Sequence, residues 1–179
     1  MIRIIAFLTA ALLFTSNAYA LDLSSPDIAT GRTLNTAQIY KGFGCSGDNF
    51  SPTLIWKDVP AGTLSFAVTV HDPDAPTGSG WWHWIIFDIS SSTSHLPSGI
   101  AIKTPLPPGA KQGRNDFGEN RFGGACPPPG DTPHRYIFTL YALKVAKLGV
   151  PEDASAALIG YMLNSNSLAK AQLTATYSR

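Results

Sequence analysis

The sequence predicts a mainly β protein, an antiparallel β-sandwich with one or two short peripheral helices. Three observations carry that reading. Apolar residues alternate with polar ones along several short segments, 16 glycines and 14 prolines cut the chain between them, and only the stretch after Pro151 shows helical spacing. Alternating βαβ units would need a helix between successive strands, and none is visible. Apolar residues make up 44% of the 179 and charged residues 14%, which excludes a disordered chain. Lys and Arg number 13 against 12 Asp and Glu, a net charge of +1, so a protein that grips a nucleic-acid backbone is excluded as well.

The chain opens with Arg3, an apolar run from Ile4 to Phe14, and the small-x-small pattern Ala18-Tyr19-Ala20. A run this short cannot span a hydrocarbon core that needs ~20 residues. It is expected to be a signal peptide occupying residues 1–20 and cut after Ala20. A single domain over 21–179 follows, with 12 basic and 12 acidic residues, periplasmic or secreted, and without a second apolar stretch of spanning length.

Ser51-Pro52 through Trp56 predicts a first short strand. Leu64, Phe66, Val68 and Val70 alternate with Ser65, Ala67, Thr69 and His71, the period of a half-buried strand. Trp81 to Ile89 is nearly all apolar, as in a strand covered on both faces, and Tyr136 to Leu143 repeats the pattern. Leu173, Ala175 and Tyr177 alternate at the end of the chain. Turn signals separate these runs at Pro60-Ala61-Gly62, 72–80, 106–109 and 127–130. The helix after Pro151 is capped by Asp153 or Ser155, with Ala157, Leu158, Tyr161 and Met162 on one face.

Cys45 and Cys126 are the only cysteines. In an exported chain an even pair is expected to be bridged, and neither has the second nearby cysteine of a CxxC zinc site. Gly42-Phe43-Gly44-Cys45-Ser46-Gly47 matches G-x-G-x-x-G, but Pro52 and its flanking turn formers forbid the helix that a dinucleotide fingerprint must open. Asn49-Phe50-Ser51 is a formal glycosylation acceptor. Neither G-x-S-x-G nor H-E-x-x-H occurs.

Two clusters carry chemistry. In the first, His71-Asp72-Pro73-Asp74-Ala75-Pro76 precedes Trp81-Trp82-His83-Trp84. The prolines place Asp72 and Asp74 in a rigid loop at a strand end, and Ala75-Pro76 is expected to be a cis peptide there. Alternation puts Trp81, His83 and Ile85 on one face and Trp82 and Trp84 on the other. In the second, the stiff loop 127–133 feeds His134-Arg135-Tyr136, whose His134 and Tyr136 share a face.

These residues resemble the two signature regions of the phosphatidylethanolamine-binding protein family, which includes the Raf kinase inhibitor proteins. Gly113-Arg114-Asn115-Asp116-Phe117-Gly118, and Ser51-Pro52 with Trp56, are similar to its bacterial YbhB/YbcL-like branch. The resemblance runs from about Leu23 to Tyr177. It implies a Greek-key β-sandwich with a small pocket for phosphate- or carboxylate-like groups, including the phosphoethanolamine head group. The matching positions are Asp72, His83, Cys126, Pro127, His134 and Tyr136. Cys126 stands where the family often has glycine, which implies a tethered rim, and the terminal lid helix of eukaryotic members is not carried over.

The resemblance thus implies a non-catalytic binding protein without cofactor or catalytic residue, its ligand a small anion. A protein partner, an inhibitor role and a homodimer stay open. The alternative is a metal-dependent hydrolase built on Asp72, His83 and His134, two imidazoles and a carboxylate that could ligate iron or zinc. For anion binding, Asp72 is expected to hydrogen-bond an imidazole, backbone N–H groups of Ala125 to Pro129 to donate, and the histidines to charge between pH 8 and 6.

Overall fold

The computed structural model describes residues 20–151 and 153–179, so all of the expected leader but Ala20 lies outside the described residues. In chain order the strands are β1 Asp22–Ser24, β2 Lys41–Gly42, β3 Cys45–Ser46, β4 Leu54–Lys57, β5 Ser65–Asp72, β6 Trp81–Ser90, β7 His95–Leu96, β8 Lys111–Gln112 and β9 His134–Leu143. Helix α1, Ala156–Asn166, and the long strand β10, Ser167–Tyr177, complete the chain. A three-stranded sheet has the order β1-β4-β7, a five-stranded sheet β10-β9-β5-β6-β8, and β2-β3 form a hairpin. All strand pairs are antiparallel. In the larger sheet β9 returns beside β5 after β6 and β8, which is the Greek-key order.

Leu21, Leu23, Leu54, Trp56 and Leu96 from the small sheet pack with Phe66, Val68, Val70, Trp84, Ile86, Phe138 and Leu140 from one face of the large sheet. The other face of that sheet carries a second core of Ala67, Ile85, Phe87, Tyr141 and Leu143, covered by Ile159 and Leu163 of α1. Here β5 departs from its expected half-burial. As the middle strand between two cores it is buried along both faces, and Ser65 meets the cost by donating to Val145 O at 2.6 Å. Leu64, read as part of the apolar row, precedes the strand and is 52% exposed.

Helix α1 begins where expected, with Ser155 Oγ accepting from Leu158 N at 3.2 Å. Its buried stripe is not the expected one. Ala156, Ile159, Gly160 and Leu163 face the sheet, while Tyr161 is 66% exposed. The helix is apolar on more than one side, so spacing alone does not single out the face that meets Trp82, which lies 3.6 Å from where a Gly160 Cβ would sit.

Two further expectations are corrected. All peptide bonds among the described residues are trans, including Ala75–Pro76. The turn is made instead by Asp72, whose Oδ1 accepts Asp74 N at 2.9 Å and Ala75 N at 3.1 Å, followed by a Thr77 N to Ala75 O bond of 2.7 Å. On β6, His71 pairs with Trp82 but Val70 with Trp84, so His83 is one residue in excess of its partner strand. This bulge breaks the expected alternation: Trp82 joins Ile85 against α1, and Trp84 joins Ile86 in the sandwich core.

The expected bridge is present: Cys45 and Cys126 are joined, with Cα atoms 6.0 Å apart. It fastens the β2–β3 hairpin, whose turn residues Phe43 and Gly44 have φ of 51° and 81° as in a two-residue turn of the primed class. The G-x-G-x-x-G match is this hairpin. Beside it the chain from Gln38 to Tyr40 runs along the 124–126 segment, with Ala125 N to Gln38 O at 3.0 Å and Tyr40 N to Ala125 O at 2.9 Å.

Gly124 permits that approach, since a Cβ there would lie 2.6 Å from Ile39 C and Tyr40 N. Gly124→Ala is expected to cost about 3 kcal/mol by forcing the two segments apart, and an unchanged urea midpoint would contradict this. Removing the bridge by Cys45→Ser with Cys126→Ser frees a loop of 81 residues in the unfolded chain. The expected loss is about 4 kcal/mol in thermal or denaturant unfolding, and a loss under 1 kcal/mol would refute it.

Candidate functional site

The ends of β5, β6 and β9 and three loops enclose a cavity of about 190 Å³ at one end of the sandwich. Asp72, His83, Cys126, Pro127, His134 and Tyr136, the six residues singled out in the sequence, all line it. Phe43, Trp81, Phe117, Pro128 and the 75–77 turn complete the wall, which among the lining residues includes no Lys or Arg.

Asp72, the last residue of β5, is 2% exposed. A buried carboxylate is tolerated only when its oxygens are bonded. Besides the two amides of its own turn, Asp72 Oδ2 lies 2.8 Å from His134 Nδ1. The expected carboxylate–imidazole contact is therefore made to His134 and not to His83. The other His134 nitrogen, Nε2, is 3.3 Å from Asp131 Oδ2 in the Pro-rich loop. Asp74 closes the outside of this corner with a bidentate pair to Arg135, at 2.8 Å to Nε and 2.7 Å to Nη2. Those hydrogen bonds hold the Asp74 carboxyl down at about 2.

His83 occupies the bulge of β6. Its Nδ1 lies 2.8 Å from Gly123 O and 3.1 Å from Gly124 O. Carbonyls only accept, so Nδ1 carries the proton. The side-chain bonds of His83 run through Nδ1, which leaves Nε2, the opposite nitrogen of a ring on the cavity lining, open to the cavity. Burial pushes this imidazole down to about 4, against the smaller upward pull of the two carbonyls and Asp72. The expected charging of the histidines between pH 8 and 6 is thus not met by His83, because the bulge carries its ring out of water.

The glycine carbonyls are fixed by Asn49, whose Oδ1 accepts Gly124 N at 2.6 Å and whose Nδ2 donates to Phe122 O at 3.3 Å. The formal glycosylation acceptor is therefore a buried brace. Asn115 braces the other side, donating to His83 O at 3.3 Å and Arg121 O at 2.8 Å.

The expected row of amide donors from Ala125 to Pro129 is reduced to one. Ala125 N is spent on Gln38 O, and the three prolines have no N–H. The Cys126 amide points at the Tyr136 oxygen and favours its anionic form, without closing a hydrogen bond to it. Tyr136 is 1% exposed and its hydroxyl has no partner, and the same holds for the indole nitrogen of Trp81. Burial, followed by the charge of Asp72, holds the Tyr136 phenol far above its ordinary range.

Aromatic rings shape the mouth. Phe117 stacks on Tyr40 with centroids 4.1 Å apart and meets Trp81 and His83 edge-on at 5.3 and 5.4 Å. Phe43, 69% exposed, sits at 5.8 Å from the same ring. Its loop is tied by the disulfide and by Arg179, which donates to Pro127 O at 2.6 Å and Phe43 O at 3.2 Å. Sequence reasoning missed Phe43, Phe117 as a wall residue, Asn49 and Asp131. Asp131 carried a signal, being three residues before His134 in the same stiff loop.

The metal-dependent alternative is not favoured by these bonds. His83 Nδ1 is committed to carbonyls, both His134 nitrogens face carboxylates, and among the described residues no group of three His, Cys, Asp or Glu side chains is arranged to hold a metal.

The low value of His83 makes a stability prediction. Its unfolded-chain value is 6.5 and its folded value about 4, so the unfolded chain takes the proton first as pH falls. The contribution is fully present above 6.5 and is lost between 6.5 and 4, on the order of 3 kcal/mol. Urea midpoints at pH 7 and 4.5 should differ less in His83→Leu than in the natural chain. An identical pH dependence in both would refute the assignment.

The phosphatidylethanolamine-binding protein family model matches residues 24–178. The chain is 52% identical to the protein YbcL of Escherichia coli strain K12 over 176 residues, 97% of this chain and 94% of that protein. Identity to the YbhB protein of the same organism is 48%, over 87% of this chain and 99% of that one. The crystal structure of Escherichia coli YbcL superposes with a TM-score of 0.86 over 90% of this chain and 99% of the other. A match over nearly the whole described fold, together with identities this high, makes the chain a member of the phosphatidylethanolamine-binding protein family.

Proposed function

We propose that the protein is an exported, non-catalytic binding protein whose cavity receives the head of a small phosphate- or carboxylate-type anion. The observation that carries this reading is the Tyr136 hydroxyl. It is a buried donor on the cavity lining without a partner, and the indole nitrogen of Trp81 on the same lining is a second. Buried polar groups are paired in the great majority of cases, and an orphan donor on a cavity wall marks a place where a group inside the cavity would be hydrogen-bonded. The second oxygen of Asp72 and the rim carboxylate of Asp131 could accept from a ligand ammonium, as in a phosphoethanolamine-type head group.

Binding without turnover is supported by the hydroxyl inventory. Thr77 and Tyr136 are the hydroxyl-bearing side chains on the lining; Thr77 donates to Gly80 O, and Tyr136 keeps its proton. Neither is an activated nucleophile. Export is supported by the Cys45–Cys126 bridge, which persists in an oxidising compartment, and by the leader-like sequence before residue 21. No helix among the described residues is long and apolar enough to cross a membrane. A protein-partner or inhibitor role is the second reading, favoured by Phe43 standing exposed at the cavity mouth.

Calorimetry with O-phosphoethanolamine tests the first reading. Tyr136→Phe should weaken binding about 3- to 10-fold, the range of one hydrogen bond. The same change should leave the ligand-free protein as stable as before or more so, because it removes an unpaired buried hydroxyl. Equal affinity of both proteins, or binding by neither, would overturn the pocket assignment.

A further inference from the structure

We infer that the cavity selects a singly protonated phosphomonoester, one that brings its own P–OH hydrogen, over both the dianion and a monoanion that lacks this hydrogen. The inference rests on the anion-pocket reading and specifies the ligand's charge state.

The geometry around His83 carries it. The Nδ1 hydrogen is given to Gly123 O and Gly124 O, and a neutral imidazole has no other. Nε2 therefore presents a lone pair to the cavity. Moving the proton to Nε2 would set the Nδ1 lone pair against two carbonyl oxygens, and those oxygens are held in place because Asn49 bonds the amide of Gly124 and Gln38 O bonds that of Ala125. His83 is thus an acceptor by construction, unlike the donor that anion binding was expected to find there.

The other groups agree. Those facing His83 are Asp72 at the end of β5, His71 on the same strand, and the ring edges of Phe117 and of Tyr136 on β9. Asp72 is the carboxylate among them, and no lining Lys or Arg opposes it. A dianion would place its second charge beside Asp72, where the nearest imidazole, that of His134, already stands between the carboxylates of Asp72 and Asp131. Burial keeps the imidazole neutral down to about 4, so across the ordinary pH range it accepts. A monoester monoanion meets these groups together: its P–OH donates to His83 Nε2, and its remaining oxygens accept from the Tyr136 hydroxyl and the Trp81 indole N–H, the buried unpartnered donors of the lining.

Methyl phosphate and methyl sulfate test this at a single pH. Near pH 5 both are monoanions of similar size, since a phosphomonoester loses its second proton at about 6, but only the phosphate has a hydroxyl. Because the protein is in the same state for both ligands, its own titration cancels. Methyl phosphate should bind about tenfold more tightly than methyl sulfate, the span of one charge-assisted hydrogen bond. Its affinity should fall at pH 7.5 while that of methyl sulfate stays weak. In His83→Leu the ratio should drop to near one. A short-chain lysophosphatidate set against its own phosphomethyl ester gives a lipid arm. A ratio in the methyl pair assigns a free ester, a ratio confined to the lipid pair assigns a head group, and either supports the inference.

Equal affinity for the hydroxyl-bearing and hydroxyl-free member in both pairs would overturn it. So would imidazole nitrogen shifts placing the His83 proton on Nε2 in the ligand-free protein, a measurement that needs no variant to fold. Absence of binding by every anion would instead remove the pocket reading beneath it.

Discussion

The extra residue at His83, one of two by which β6 exceeds the stretch of β5 it pairs with, sets the geometry of this protein's cavity. Without the extra residue at His83 the alternation of β6 would carry its side chain into one of the two cores, and both Trp82 and Trp84 to the opposite one. With it, each tryptophan meets its own core and the imidazole is left at the rim of the sandwich. A bulge leaves polar backbone unpaired, and here the 115–124 stretch takes it up: Gly123 N bonds His83 O at 2.8 Å, and Asp116 N bonds Trp82 O at 2.9 Å. The same stretch returns its own carbonyls to the ring of His83. Position and tautomer of the imidazole are therefore consequences of one register slip.

The opposite wall obeys a different constraint, the cost of a buried carboxylate. Asp72 sits buried at the end of the central strand on the cavity wall, and a buried carboxylate is tolerated only by collecting donors. It finds three, from Asp74 N, Ala75 N and His134 Nδ1. The first two bend the chain away from β5 and the third fixes the start of β9. A single side chain thereby makes the turn, orients an imidazole and joins strand ends 62 residues apart.

Much of this was legible in the sequence because it is local. Alternation located β5, nearly continuous apolar runs located β6 and β9, Ser155 announced the start of α1, and an even pair of cysteines behind a leader-like segment announced the bridge. That six residues would gather at one cavity was legible through two proline-stiffened loops feeding strands and through a family resemblance. What escaped depends on partners distant in the chain. A bulge is a relation between two strands, and nothing in Trp81-Trp82-His83-Trp84 says which residue lacks a partner. The buried face of α1 depends on the sheet beneath it. Asn49 reads as a surface acceptor until Gly124, 75 residues later, is seen to need its oxygen. The amide of Ala125 reads as free until Gln38 is seen to accept it.

The wall divides by the kind of structure that supports it. Asp72, His83, His134 and Tyr136, which hold its polar chemistry, stand on strands whose ladders run into two cores. Phe43, Phe117, Pro127 and Pro128, which set its shape, stand on loops. The loops lie outside the large sheet and are fixed by other means: the bridge at Cys126, the Arg179 bonds to Phe43 O and Pro127 O, and the stack of Phe117 on Tyr40. A change in a strand residue disturbs a core as well as the cavity, whereas a change at Phe43 disturbs only an exposed ring and its neighbours. The fold therefore holds the polar wall of the cavity on its strands and leaves the loop-borne surface at the mouth free to vary.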